Sequence, residues 1–288
     1  MLIVIVCGAL LALALVLCVV WGGERLVEPE IPRSTSADPT SRAPRLRRHL
    51  DGLRLYGWWA SMFLVVGTIS GLLVTGAGGR LAMRLLAVTS PQATGRLTEA
   101  GATVGRMTVE GTIGYLVFGA LPFAFVSTAL YLLVAPWLPR GRLAGPVFGL
   151  AAFILAAPFI DPLRADNVDF DIVGPGWLSV LVFAALGVVQ GAFLAAFAGR
   201  LSRSLPLMTR KTWPETLLPL LLGVVLFPLG AVLAVGALVT FALPRLLPWF
   251  LGVRASRWGV IVGRVLLAVG VLAALPAFVA SVVSIWGR

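Results

Sequence analysis

Seven apolar runs divide the chain, at about residues 2–20, 57–78, 111–135, 144–160, 178–198, 215–243 and 259–285. Each approaches the length an α-helix needs to cross a hydrocarbon core of about 30 Å. Backbone in lipid satisfies its own N–H and C=O groups only as a helix or a closed barrel. The pattern predicts an all-α, polytopic integral membrane helix bundle of about seven transmembrane helices. One run is ambiguous: Pro228 and Gly230 interrupt 215–243, which reads either as one span or as a re-entrant pair of half-helices that returns to the face it left.

The polar positions divide the chain into an anchor helix (1–21), a polar cytoplasmic linker (22–55) and a six-span bundle (56–288). Glu-Pro-Glu-Ile-Pro and Ser-Thr-Ser-Ala-Asp-Pro-Thr-Ser in the linker lack any apolar period, so disorder is expected there. Its end, Arg45 to Arg54, places Leu46, Leu50 and Leu53 on one stripe among arginines. That fits a short helix on an anionic leaflet, or ordinary flanking charge beside a span. Gly67-xxx-Gly71 precedes Gly79-Arg80-Leu81 by the interval at which Gly187-xxx-Gly191 precedes Gly199-Arg200-Leu201. This spacing raises a three-plus-three inverted repeat, a device of transporters.

Composition sharpens the class. Hydrophobic residues make up 59% and charged residues 12%, against about 25% charged in soluble domains. Almost every one of the nine tryptophans stands where an apolar run begins or ends, the position of an interfacial aromatic belt. Lys211 is the single lysine among 23 basic residues. With the Ala, Gly, Pro and Val load this points to GC-rich codons, and so to a bacterial plasma membrane. With the N-terminus outside, inside segments carry fourteen basic residues and outside segments eight, Arg264 falling within the last span. That orientation obeys the positive-inside rule, although Arg245, Arg254 and Arg257 fit it poorly. The net charge of +11 is spread over short loops, which argues for anionic membrane lipids as partners and against nucleic acid.

Chemistry is sparse. Arg80 and Arg84 share a helix face, as do Arg106 and Glu110. If the two segments form a helical hairpin turning near Ser90-Pro91-Gln92, Arg80 lies level with Arg106 to Glu110 and Arg84 lies near Glu99, which predicts two cross-helix ion pairs. Arg80, Arg84, Glu99, Arg106 and Glu110 are therefore the candidate ligand-binding residues, read as a charged pocket for an anionic headgroup or solute, or else as a staple of the hairpin. Asp161, Asp166, Asp169 and Asp171 lack the spacing of a calcium loop; they read as a solvated turn with Arg164 neutralising a neighbour, or as a weak divalent-cation site. Cys7 and Cys18 lie on one helix and cannot pair. No basic stretch precedes the first run and no small-x-small site follows it, so it is expected to be a retained anchor.

His49 is the sole histidine, so no histidine metal site or triad can form within the bundle. Phosphate-loop, nucleophile-elbow, His-Glu-x-x-His and CxxC motifs are missing from the sequence, and no cofactor is indicated. Gln190, between apolar neighbours, is expected to hydrogen-bond between helices. The pairs Gly67/Gly71, Gly101/Gly105, Gly141/Gly145/Gly149, Gly187/Gly191 and Gly259/Gly263 fit close helix contacts, within the chain or in a homo- or hetero-oligomer. Two function classes follow: a bundle that binds or moves a lipid or small anionic solute, and a non-catalytic membrane scaffold or assembly partner. With no nucleophile, metal or acid–base set, an enzyme is not expected.

Overall fold

A computed structural model describes residues 1–29, 43–160, 163–164, 166–209 and 211–288. These form a bundle of α-helices with no strand among the described residues beyond one isolated bridge, Leu97 with Thr103. Helix α1 (Leu2–Trp21) is followed by α2 (Ala43–Ser70), which runs through a π-helical segment (Gly71–Gly76) into α3 (Ala77–Thr89). Helix α4 (Val109–Tyr115) continues through a second π segment (Leu116–Ala120) into α5 (Leu121–Val134). Next come α6 (Ala144–Ala156), α7 (Gly176–Ser204), α8 (Trp213–Val225), α9 (Phe227–Ala242), α10 (Leu246–Ala255) and α11 (Arg257–Trp286). We call proximal the face where α1 begins and distal the face where it ends.

Five of the segments are long and apolar enough to cross a membrane: 2–21, 46–89, 109–137, 176–204 and 257–286. They give a membrane protein, but not seven straight spans. The 215–243 run breaks at Leu226, where Pro228 cannot supply a backbone donor to the preceding turn. Its two halves fold against each other, Gly230 meeting Gly223. Thr216 of α8 accepts from Ser61, and Gly223 lies by Leu64. Helix α9 then retreats along α2, from Tyr56 beside Leu233 and Gly236 to His49 beside Phe241. Both ends of the pair thus lie at the distal half of α2, and the second sequence reading, a re-entrant pair, describes the observed geometry. Helix α10 bends away from α9 by 97°. The proposed repeat meets a difference here, since 109–137 is one long helix and its counterpart in the second half turns back.

The linker also differs from its reading. Residues 46–55 are the first turns of α2 and not a separate surface helix. After α1, the Val27 N–H donates to Ser202 Oγ, and Glu24 lies 3.6 Å from Arg203, so this end of the linker is docked on α7. Residues 30–42, on which most of the expected disorder falls, lie outside the described residues.

Glycine sets the tightest packing. Helices α6 and α7 run antiparallel, Gly145 facing Gly191 and Gly149 facing Gly187, so close that a Cβ on either α6 glycine would strike α7 backbone. Gly67 and Gly71 receive Phe125, Leu121 and Ala124, and Gly263 receives the Trp137 ring. These faces are occupied inside the chain. Gly101, Gly105 and Gly141 are not helix contacts: they adopt φ of +73°, +81° and +84° in loops, a region glycine enters without steric cost. Replacing Gly149 by Val should force α6 off α7 and lower the thermal unfolding midpoint in detergent, at a cost of about 1–3 kcal/mol. Gly8→Ala, where a Cβ meets nothing within 4 Å, should leave the midpoint unchanged.

Candidate functional site

The five predicted residues do not form one pocket. Helix α3 ends at Thr89, and α4 begins only at Val109. The intervening loop folds into a small turn in which Thr98 N–H donates to the Ala102 carbonyl and Val104 N–H to that of Arg96. The helical hairpin required for the two cross-helix pairs is absent, and neither pair forms. Glu99 instead meets Arg164, whose Nη2 donates to both carboxylate oxygens at 2.8 and 2.7 Å. Arg164 also lies 2.9 Å from Asp166, the neighbour neutralisation expected of that loop; Asp161 lies outside the described residues. Arg106 is exposed and makes no ion pair among the described residues. Glu110 occupies the first turn of α4, capped by Thr108 Oγ1 accepting from Gly111 N–H at 3.0 Å, where an acid complements the helix dipole. Both belong to the loop and not to a charged pocket.

Arg80 and Arg84 do share a face of α3. Arg80 is buried at the proximal end, one turn past the first π segment. The two π segments face each other: Thr75 Oγ1 shares its proton between the Gly71 and Ala120 carbonyls at 3.2 and 3.1 Å, and Tyr115 Oη donates to the Thr75 carbonyl at 3.0 Å. Such bulges recur at functional sites. Deeper in the same seam, Gln190 Nε2 donates to Ser127 Oγ at 3.1 Å, the interhelical bond expected of it.

At the distal end lies a constellation that sequence reasoning missed. Arg254, 5% exposed, donates to the Leu132 and Leu133 carbonyls at 2.6 and 3.3 Å and to Glu28 Oε1 at 2.7 Å. Its guanidinium also lies over the Trp59 ring at 5.3 Å, and its own carbonyl accepts from Trp137 Nε1 at 3.2 Å. The available signal was the poor fit of Arg254 to an outside loop.

In the same half of the bundle, α2 and the α8–α9 pair enclose a groove of about 1060 Å³. Its walls are apolar and built from small residues: Gly57 and Ala60 on α2, Gly223 on α8, and Ala231, Ala234 and Ala237 on α9. Arg54, Thr209 and Trp213 stand at the distal mouth, Leu64 and Phe227 at the inner end. Arg54 pairs with Asp51 at 2.9 Å, an exposed contact that solvent screens. Leu50 and Leu53 line the groove as well, which gives the predicted leucine stripe an intramolecular use. The signal that marks this groove in the sequence is the small-residue content of the interrupted 215–243 run. A second cavity of about 660 Å³ adjoins the α9–α10 bend, with Arg48, His49, Arg245 and Trp249 on its walls. Among the described residues no three His, Cys, Asp or Glu side chains gather to hold a metal.

Glu28→Gln should destabilise the bundle by about 1–3 kcal/mol, since it strips from a buried guanidinium its only carboxylate among the described residues. In an Arg254→Met background the same change should cost almost nothing, a coupling that a double-mutant cycle on thermal unfolding reads directly. No family model, curated protein or solved structure matches this chain.

Proposed function

We propose that this chain is a lipid-binding membrane bundle that holds an anionic amphiphile with its acyl part in the groove between α2 and the α8–α9 pair. One observation carries the reading. An apolar groove of about 1060 Å³ opens past an arginine, a threonine and a tryptophan at one face, and a large apolar cavity with a few placed polar groups is the usual form of a ligand site. Lys211 neighbours Thr209 at that mouth and is exposed. Among described residues, thirteen basic side chains belong to the distal half and six to the proximal. Distal thus faces the cytoplasm of a bacterial plasma membrane, with both chain ends outside. A re-entrant distal hairpin also moves Arg245, Arg254 and Arg257 to the basic side, where they fit the rule. In this reading the chain binds or hands on its lipid and does not transform it.

Ala234→Trp fills the groove and should weaken retention of the phosphatidylglycerol held there by at least about tenfold, read as one fewer bound lipid in native mass spectra of the detergent-solubilised chain. Arg54→Gln combined with Lys211→Gln should weaken it several-fold and erase the preference over phosphatidylcholine. Unchanged retention in both variants, with the fold intact, would leave the assembly-partner reading in its place.

A further inference from the structure

Two arginines are buried in this bundle almost equally, and only one has oxygen acceptors among the described residues. Arg254 is 5% exposed and Arg80 8%. Arg254 has a carboxylate, two carbonyls and an indole face, and only its Nε is buried without a hydrogen-bond partner. Arg80 has one acceptor, the Met83 thioether 3.7 Å from Nη1, and its Nε is buried without a hydrogen-bond partner. No carboxylate lies within 4 Å of it among the described residues. A guanidinium carries five donors and stays charged, and a membrane interior penalises unserved charge. Polar protein groups nearby are already committed, Tyr115 Oη to the Thr75 carbonyl and Thr75 Oγ1 to two carbonyls.

We propose that Arg80 is a receptor for a phosphate-type oxyanion at the proximal end of the bundle, with Arg84 as its second cation. Arg84 stands one turn further out on the same face of α3, half-buried, with Nη1 spent on the Gly105 carbonyl at 3.2 Å and no acidic partner among the described residues. The Arg80 fork can meet two oxygens side by side, which is the geometry that favours phosphate and carboxylate. Two cations at i and i+4 favour the group with more oxygens and more charge. Depth is moderate: Tyr115, whose hydroxyl lies against Gly79, is six residues inside the start of α4, about 9 Å. A headgroup at the proximal leaflet reaches that level, and so does a free phosphate entering from the proximal face. The residues are set by backbone and not by loop, because the facing π segments fix α3 against α4 just beneath them. This site is separate from the groove, which opens at the other face.

The test offers delipidated full-length protein inorganic phosphate in one arm and phosphatidylglycerol in the other, with diacylglycerol as the phosphate-free control. Binding is read from native mass spectra and from the shift in thermal unfolding. In Ala234→Trp protein, whose groove is filled, saturable binding of either probe is still expected, weakened at least about tenfold by Arg80→Gln and only partly by Arg80→Lys. Stabilisation by phosphate alone assigns a free oxyanion, and by phosphatidylglycerol alone a headgroup. Equal binding with and without Arg80→Gln in that background, or no binding of either probe there, overturns the assignment. If Arg80→Gln does not fold, Arg84→Gln carries the same test: a several-fold loss is expected, and unchanged binding overturns it.

Discussion

The rest of this bundle depends on the guanidinium of Arg254 being satisfied at the distal end. It is the one point where the segment after α1, the second helix, the end of α5 and the α10–α11 corner meet, through Glu28, Trp59, the Leu132 and Leu133 carbonyls and Trp137. Removing the carboxylate from this buried arginine costs about 1–3 kcal/mol, so one side chain ties these elements to each other. The corner is locked a second time, since Trp137 packs on Gly263 and its carbonyl accepts from Arg264 Nε at 3.0 Å.

From that fixed point the topology of the second half follows by parity. Helix α7 ends at the distal face, where Trp58 Nε1 donates to the Leu205 carbonyl at 3.0 Å, and α11 begins at the same face because Arg254 is tied there. Whatever lies between must enter and leave on one side. An apolar stretch of nearly thirty residues between two distal points can only fold back on itself, and Leu226–Pro228 supplies the break. The groove is a by-product of that fold. Where α6 and α7 use glycines to bring backbones into contact, α2 and α9 are held apart along the same kind of small residues by Tyr56, whose ring lies against Gly236 while its hydroxyl donates to the Leu233 carbonyl at 2.7 Å. Small side chains facing a spacer leave room; facing each other they remove it.

The class was legible because lipid imposes it residue by residue: the apolar runs of α1, α7 and α11 needed no tertiary information. So was the ambiguity at 215–243, because a proline inside a helical run is a local fact. The charged pairs were not. Arg84 and Glu99 were assigned to each other on the assumption that the turn near Ser90 joins two helices, whereas Glu99 is taken by Arg164, 65 residues away. Glu28 and Arg254 are 226 residues apart, and each looked like a loop residue alone. Spacing within a helix predicts neighbours; it carries nothing about which loop folds over which.

The polar groups that remain inside the bundle are economical in a way that bears on its use. Along the seam of α2, α5 and α7, Ser127 and Thr128 return their protons to carbonyls of their own helix, Thr75 shares its proton between Gly71 and Ala120, and Gln190 reaches Ser127. These bonds satisfy donors where no water competes, each contributing about 0.6 kcal/mol by the measure of other membrane bundles. They leave Gln190 Oε1 and the Thr68 and Ser179 hydroxyls buried without a partner. Among the described residues the buried arginines stand at the two ends, one at the distal face with every group but Nε served and an almost unserved one at the proximal face, separated by a seam of hydroxyls and one amide. A continuous path for a charged solute would need charges or a string of polar groups through that middle, whereas a lipid needs only an anchor for its headgroup at one end and an apolar wall for its chains. The distribution of polar groups thus favours ligands held at the faces of the bundle over ions passed through its centre.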